Sequence, residues 1–160
     1  TQLVDDVLWG ELDYLVIDLP PGTGDTQLTL LQTIPITGSV IVTTPQEVAL
    51  EDARRGLQMF AKHDTPVLGI VENMSTFVCP DCGSEHDIFG SGGGEAFAES
   101  ADMPFLGKIP IDPAIRSGSD EGQPIVLDES SSTGEAFRTM AAETANMVGI
   151  LNRRGRSGTT

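Results

Sequence analysis

Two hydrophobic patterns alternate along this chain: short continuous apolar runs, and apolar residues at helical spacing. Leu3, Val4, Val7 and Leu8 mark one side of a helix ending near Trp9, and residues 14–17 then give an unbroken run, Tyr-Leu-Val-Ile. A run without polar alternation is the pattern of a parallel strand covered on both faces. A short helix follows over residues 26–34, a strand over 39–44, and a helix over 48–62 in which Ala49, Ala53, Leu57, Phe60 and Ala61 recur at helical intervals. The spacing next predicts a strand over 67–71 ending at Glu72-Asn73, a helix over 94–101, and a strand over 105–109 closed by Pro110. The last helix covers 132–151, opened by the capping box Ser132-x-x-Glu135. Arg153, Arg154 and Arg156 among Gly, Ser and Thr predict a disordered tail over 152–160.

Strands alternating with helices give an α/β domain over residues 1–151 with a mostly parallel sheet. Asp18, Thr44-Pro45, Asn73 and Pro110-Ile111-Asp112 each follow the carboxyl end of a predicted strand. Those ends line one crevice of an open parallel sheet, the usual place for a ligand. Asp18 leads into Pro20-Pro21-Gly22-Thr23-Gly24-Asp25, where prolines stiffen the exit and glycines free backbone amides for a ligand. A lone carboxylate there is where nucleotide-binding α/β proteins hold Mg²⁺; the plain alternative is an ordinary turn. Asp25 reads as the cap of the following helix.

Composition narrows the partners. The 160 residues suit one domain, and 24 acids against 9 bases give a formal charge of −15. That charge disfavours nucleic acid and anionic membranes, and it suits a high-salt cytoplasm, where screening tolerates dense carboxylates, better than an ordinary acidic protein. No run of about 18 apolar residues predicts a membrane span, and no basic-then-apolar leader opens the chain. The only cysteines form Cys79-Pro80-Asp81-Cys82, which is an intracellular metal or redox pair and not a secreted disulfide framework. Two thiolates are half of a four-thiolate site, so a second copy of the chain across a two-fold axis would complete it. A bridging iron–sulfur cluster ranks first, zinc second and a dithiol third; His86 reads as a solvated loop residue. The phosphate-loop pattern G-x-x-x-x-G-K-S/T is absent: Gly107-Lys108 falls inside a strand, and the cluster of glycines from Gly90 to Gly94 follows none. The start at Thr1, in mid-helix and ahead of a buried strand, predicts that the N-terminal part of the fold is missing.

Several segments in order resemble the Mrp/ApbC branch of the MinD-like P-loop ATPases. They are residues 12–25, Gly69-Ile70-Val71-Glu72-Asn73-Met74-Ser75, Cys79-Pro80-Asp81-Cys82-Gly83, Ile88-Phe89-Gly90 with Gly92-Gly93-Gly94, Leu106-Gly107-Lys108-Ile109-Pro110-Ile111-Asp112, and Gly122-Gln123-Pro124-Ile125. The resemblance implies a three-layer α/β/α P-loop NTPase-like fold and an ATP-dependent, homodimeric carrier of iron–sulfur clusters, [4Fe-4S] shared between subunits, that delivers them to apoproteins. It implies that Asp18 holds Mg²⁺ through water, that the Gly22 amide senses the γ-phosphate, and that Cys79 and Cys82 ligate the cluster. Asn73 would read the adenine edge, for which an amide supplies both donor and acceptor, with Pro110 and Asp112 flanking the base. The readings set against it are a zinc-stabilised interaction domain on the same scaffold and a MinD/ParA-like positioning ATPase. The family's lysine-bearing phosphate loop and first switch have no counterpart in these residues, so ATP hydrolysis is not expected of them alone.

Overall fold

A computed structural model describes residues 6–20, 24–79 and 81–157, with side chains as far as Arg153. The molecule is built on one long strand, β2 (Val67–Val78), preceded by β1 (Ser39–Thr43) and followed by β3 (Glu85–His86) and β4 (Phe105–Ile111). β1 and β4 pair with β2 in parallel, on its two sides. β3 pairs with its far end in antiparallel register, Phe77 opposite His86 and Val78 opposite Glu85. The helices are α1 (Asp25–Thr33), α2 (Glu47–Lys62), α3 (Gly93–Ser100), α4 (Pro113–Asp120) and α5 (Ser132–Ser157), with a single 3₁₀ turn over Ile125–Leu127.

Successive residues of a strand point to opposite faces, and β2 uses this to build two cores. Ile70, fully buried, packs with Ile41, Leu50, Phe60 and Phe97, against which Leu28 and Leu31 of α1 also rest. Val71 packs with Leu106 and Ile109 under Ala136, Phe137 and Met140 of α5. Helices thus cover both faces of a mostly parallel sheet, the expected three-layer α/β/α arrangement. α2 suits its place because its apolar positions recur on one side, Glu47 lies in its first turn and Lys62 in its last, complementing the helix dipole.

The structure departs from the sequence pattern in several places. Residues 6–9 are not helical, and residues 1–5 of that predicted helix lie outside the described residues. Residues 14–17 form no strand: Val16 is 90% exposed, and none of the described strands pairs with them. A strand is held by its neighbours' hydrogen bonds, and an apolar run alone does not supply them. β2 does not stop at Asn73, because β3 provides a partner beyond it, and the strand crosses a kink where Met74 takes φ 55°. β4 likewise runs past Pro110, which sits where the β2–β4 register breaks between Asn73 and Phe77 and where no ladder N–H is needed. The cap of α5 is Ser131, whose Oγ accepts from the Gly134 N–H at 3.0 Å, while Glu135 pairs with Arg138 and closes no capping box. α5 continues to Ser157 as backbone helix, through most of the expected tail; residues 158–160 lie outside the described residues. The pattern also missed α4, although Asp112-Pro113 is a cap followed by proline at the first helical position. No helix among the described residues is long and apolar enough to cross a membrane.

Candidate functional site

Three of the predicted site residues lie on or just after two strands that run side by side. Asn73 of β2 is opposite Ile109 of β4, Pro110 is the next residue of β4, and Asp112 follows the end of that strand. The Asn73 Oδ1 accepts from the Met74 N–H at 2.9 Å, at the kink where Met74 takes a positive φ. Ser75 anchors the same rim by donating to the Ile109 carbonyl at 3.2 Å. Asp112 has structural duties: Oδ1 accepts from the Ala114 N–H at 2.8 Å and caps α4, and Oδ2 accepts from the Thr133 hydroxyl at 2.7 Å. At the end of β1, the Thr44 hydroxyl is buried without a hydrogen-bond partner among the described residues. Buried polar atoms are nearly always satisfied, so this orphan at a strand's carboxyl end fits a rim that receives a ligand.

Asp18 occupies a different groove. It is exposed, and the groove of ≈ 460 Å³ beside it runs between residues 17–20 and α1, lined by Ile17, Leu19, Thr26 and Leu30 among others. None of Asn73, Pro110 and Asp112 lines that groove, so the magnesium candidate and the base candidates do not share a cavity. Gly22 lies outside the described residues. Asp25 is the first helical residue of α1 and Gly24 is the N-cap, so Asp25 favours the positive helix end without capping it. What holds the loop is Gln27, buried to 3% exposure, whose amide donates to the Pro20 carbonyl at 2.7 Å. Gln27 was missed because a glutamine one turn into a helix looks like any surface residue.

The cysteines stand at the tip of the β2–β3 hairpin. The Cys79 N–H donates to the Ser84 carbonyl and the Gly83 N–H donates to the Cys79 carbonyl, both at 2.9 Å, which folds the turn so that both thiols lie on it. Gly83 takes φ 69°, a conformation that favours glycine. Cys79 is half-buried, Cys82 is exposed, and both are free thiols. The Ser84 hydroxyl, 3.2 Å from the Cys82 sulfur, is the main cause that holds the Cys82 thiol below its ordinary range, helped by the Ser84 amide and the Cys79 thiol. His86 is on β3 with its ring 6.4 Å from that of Phe77, a strand position in place of the expected loop. No group of three or more His, Cys, Asp or Glu able to hold a metal occurs among the described residues. The two soft thiols, one exposed and one half-buried, fit half of an iron–sulfur or zinc site.

One further residue went unnoticed in the sequence. Glu72 is fully buried, and its carboxylate accepts from the Gly94 N–H at 2.6 Å and the Gly92 N–H at 3.4 Å. Lys108, its ladder neighbour on β4, pairs with Glu95 of α3 at 2.8 Å. The Glu95 carboxylate holds the Lys108 ammonium above its ordinary value. An acid directly after a hydrophobic strand looks like the start of a loop, so only the continuation of β2 shows it to be interior.

Comparison with known proteins agrees with this architecture. Residues 1–145 match the ParA family model described as NUBPL iron-transfer P-loop NTPase. The chain is 51% identical over 150 residues to the iron-sulfur cluster carrier protein of Deinococcus radiodurans, covering 93% of this chain and 42% of that protein. The nucleotide-binding protein of Archaeoglobus fulgidus, solved in complex with ADP, superposes with a TM-score of 0.70 at 42% identity, over 82% of this chain and 53% of that one. The cell division ATPase MinD of Pyrococcus furiosus gives a TM-score of 0.62 at 29% identity, over 84% and 52%. The chain spans about half the length of the curated relatives it matches.

Proposed function

Since this chain belongs to the family of NUBPL iron-transfer P-loop NTPases, the iron-sulfur cluster carriers, we propose that the whole protein is an ATP-dependent carrier that binds a cluster between two subunits and delivers it to apoproteins. The observation that carries this reading is the hairpin tip, where two free thiols stand together, Cys82 exposed and Cys79 half-buried, with no group of three or more ligating side chains among the described residues. A site with half its ligands is completed by symmetry, because a second copy presents the same pair across a two-fold axis. Cys79 and Cys82 then supply two of four thiolates to the cluster, [4Fe-4S] in our reading, which is cargo passed on to recipients.

At the nucleotide, Asn73 offers its amide to the adenine edge beside Pro110, while Asp112 shapes the rim by capping α4. Asp18 would hold Mg²⁺ through a bound water, and the Gly22 amide would sense the γ-phosphate. The cation would neutralise charge on the phosphates, the main requirement of phosphoryl transfer. A bound nucleotide would act on the segment that follows Asp18, and α1, packed on the same core as α3, would pass the effect toward the hairpin. The compartment is the cytoplasm, and the charge of −15 suits one rich in salt.

The test is reconstitution of the full-length protein with iron and sulfide under anaerobic conditions, with Cys79→Ser in parallel. The expected result is about one cluster per two chains in the parent and its loss in the variant. Equal cluster content in the two ends this reading. Zinc without iron in the protein as purified from cells would favour the zinc-stabilised interaction domain instead, because the hairpin tip fits either metal.

A further inference from the structure

We propose that Glu72 is the positioning residue of the cysteine hairpin, fastening both ends of the excursion that carries Cys79 and Cys82 to one point of the central strand. Its role in holding cargo rests on the cluster-carrying reading above. β2 continues past Glu72, pairing with β4 at Asn73 and Phe77; the chain then turns at the cysteines, returns along β3, and reaches α3 twenty-odd residues after Glu72. The outgoing end is tied to Glu72 by the backbone. The returning end is tied to it by the carboxylate, through the Gly94 N–H at 2.6 Å and the Gly92 N–H at 3.4 Å.

The chemistry is selective for an acid. An apolar side chain could fill the same space, as Ile70 does on the same face of β2, but it could not accept from two amides. A carboxylate without solvent exposure is costly unless compensated, and here the compensation comes from the first amides of α3, where the helix dipole is positive, and from the nearby Lys108. The fit is close: a Cβ on Gly94 would stand 2.9 Å from the Glu72 Cβ and 3.2 Å from its Oε2. On the other side a Cβ on Gly93 would meet the Pro45 carbonyl oxygen at 2.6 Å. The returning segment is therefore wedged between Glu72 and the loop after β1. α3 then sends Phe97 into the core that also receives Leu28 and Leu31 of α1. Glu72 thus joins the hairpin to the elements that border the nucleotide candidates, and Asn73 is its neighbour on β2.

The experiment uses full-length protein carrying Glu72→Gln and, separately, Gly94→Ala. Glutamine keeps the size but turns one accepting oxygen into a donor that faces an amide N–H; the alanine breaks the same contact from the other partner. In metal-free protein, hydrogen exchange over residues 77–92 is expected to rise about tenfold in both variants, with β1 and β4 unchanged. In protein reconstituted with iron and sulfide, loss of the cluster to a chelator is expected to be about tenfold faster. Unchanged exchange over 77–92, or a rise shared by the whole sheet, would make Glu72 an ordinary core residue and overturn the proposal. Failure of both variants to fold would overturn it too, since Glu72 would then serve the whole sheet and not the hairpin. A parent protein that takes up no cluster ends the carrier reading, while the metal-free exchange arm still decides what Glu72 does.

Discussion

Residues 14–17, Tyr-Leu-Val-Ile, and residues 68–71 of β2, Leu-Gly-Ile-Val, are both short runs without a charged or polar side chain beyond the tyrosine hydroxyl, and they end in opposite environments. Val16 is 90% exposed and Val71 is 2% exposed. The difference lies in what is beside them. The first half of β2 has a parallel strand on each side and helices on each face, so Leu68, Ile70 and Val71 are buried against partners. Residues 14–17 have the propensity and no neighbour among the described strands. A hydrophobic run states what a segment would do if paired, and pairing is a property of the whole sheet.

The largest test of that contrast is Ile70→Ala. Ile70 is fully buried in the centre of β2, so the truncation is expected to cost about 2–5 kcal/mol in urea unfolding, transfer and cavity terms together. A cost below about 1 kcal/mol would mean that β2 is no better packed than the exposed run, and the contrast would fail.

A smaller effect is expected at the rim. Asp112→Ala removes the cap of α4 and the bond from Thr133 of α5, so a loss of about 1–2 kcal/mol is expected, shared with Thr133→Val in a double-mutant cycle. Asp112→Asn should keep most of that stability, because asparagine caps as well as aspartate. If nucleotide affinity falls in Asp112→Asn while stability holds, the carboxylate serves the base directly as well as through the rim. This sharpens the comparison by asking how far the embedding of β2 extends into the site.

The same contrast explains what was legible in the sequence. β1, α2, the first half of β2, α3, β4 and α5 were legible because their apolar residues face partners inside the described chain. So was the cysteine pair, since its spacing carries its chemistry locally. The second half of β2 was not, because it continues through a left-handed Met74 where glycine would have been the signal, and it is held by a two-residue strand reached only after the cysteine turn. The capping serine of α5 was misplaced by one residue within Ser130-Ser131-Ser132, where three identical side chains compete and only geometry chooses. Glu72 and Gln27 were missed for a common reason: each is a polar residue whose partners are backbone groups outside its own element, and no periodicity announces such a bond.

The smallest expected effect bears most directly on the contrast. Val16→Ala in the 160-residue chain should change stability by no more than about 0.5 kcal/mol, because the side chain touches little and its removal exposes nothing new. In a form of the protein as long as its relatives, of which this chain spans about half, residues 14–17 are expected to be paired as a strand. There the same substitution should cost about 1–3 kcal/mol, and Asp18 would then leave a fixed strand end as a magnesium ligand requires. Two urea curves for each form decide it. Should Val16→Ala stay neutral in the longer form, residues 14–17 are a surface segment, and the assignment of Asp18 to a nucleotide's metal loses its support.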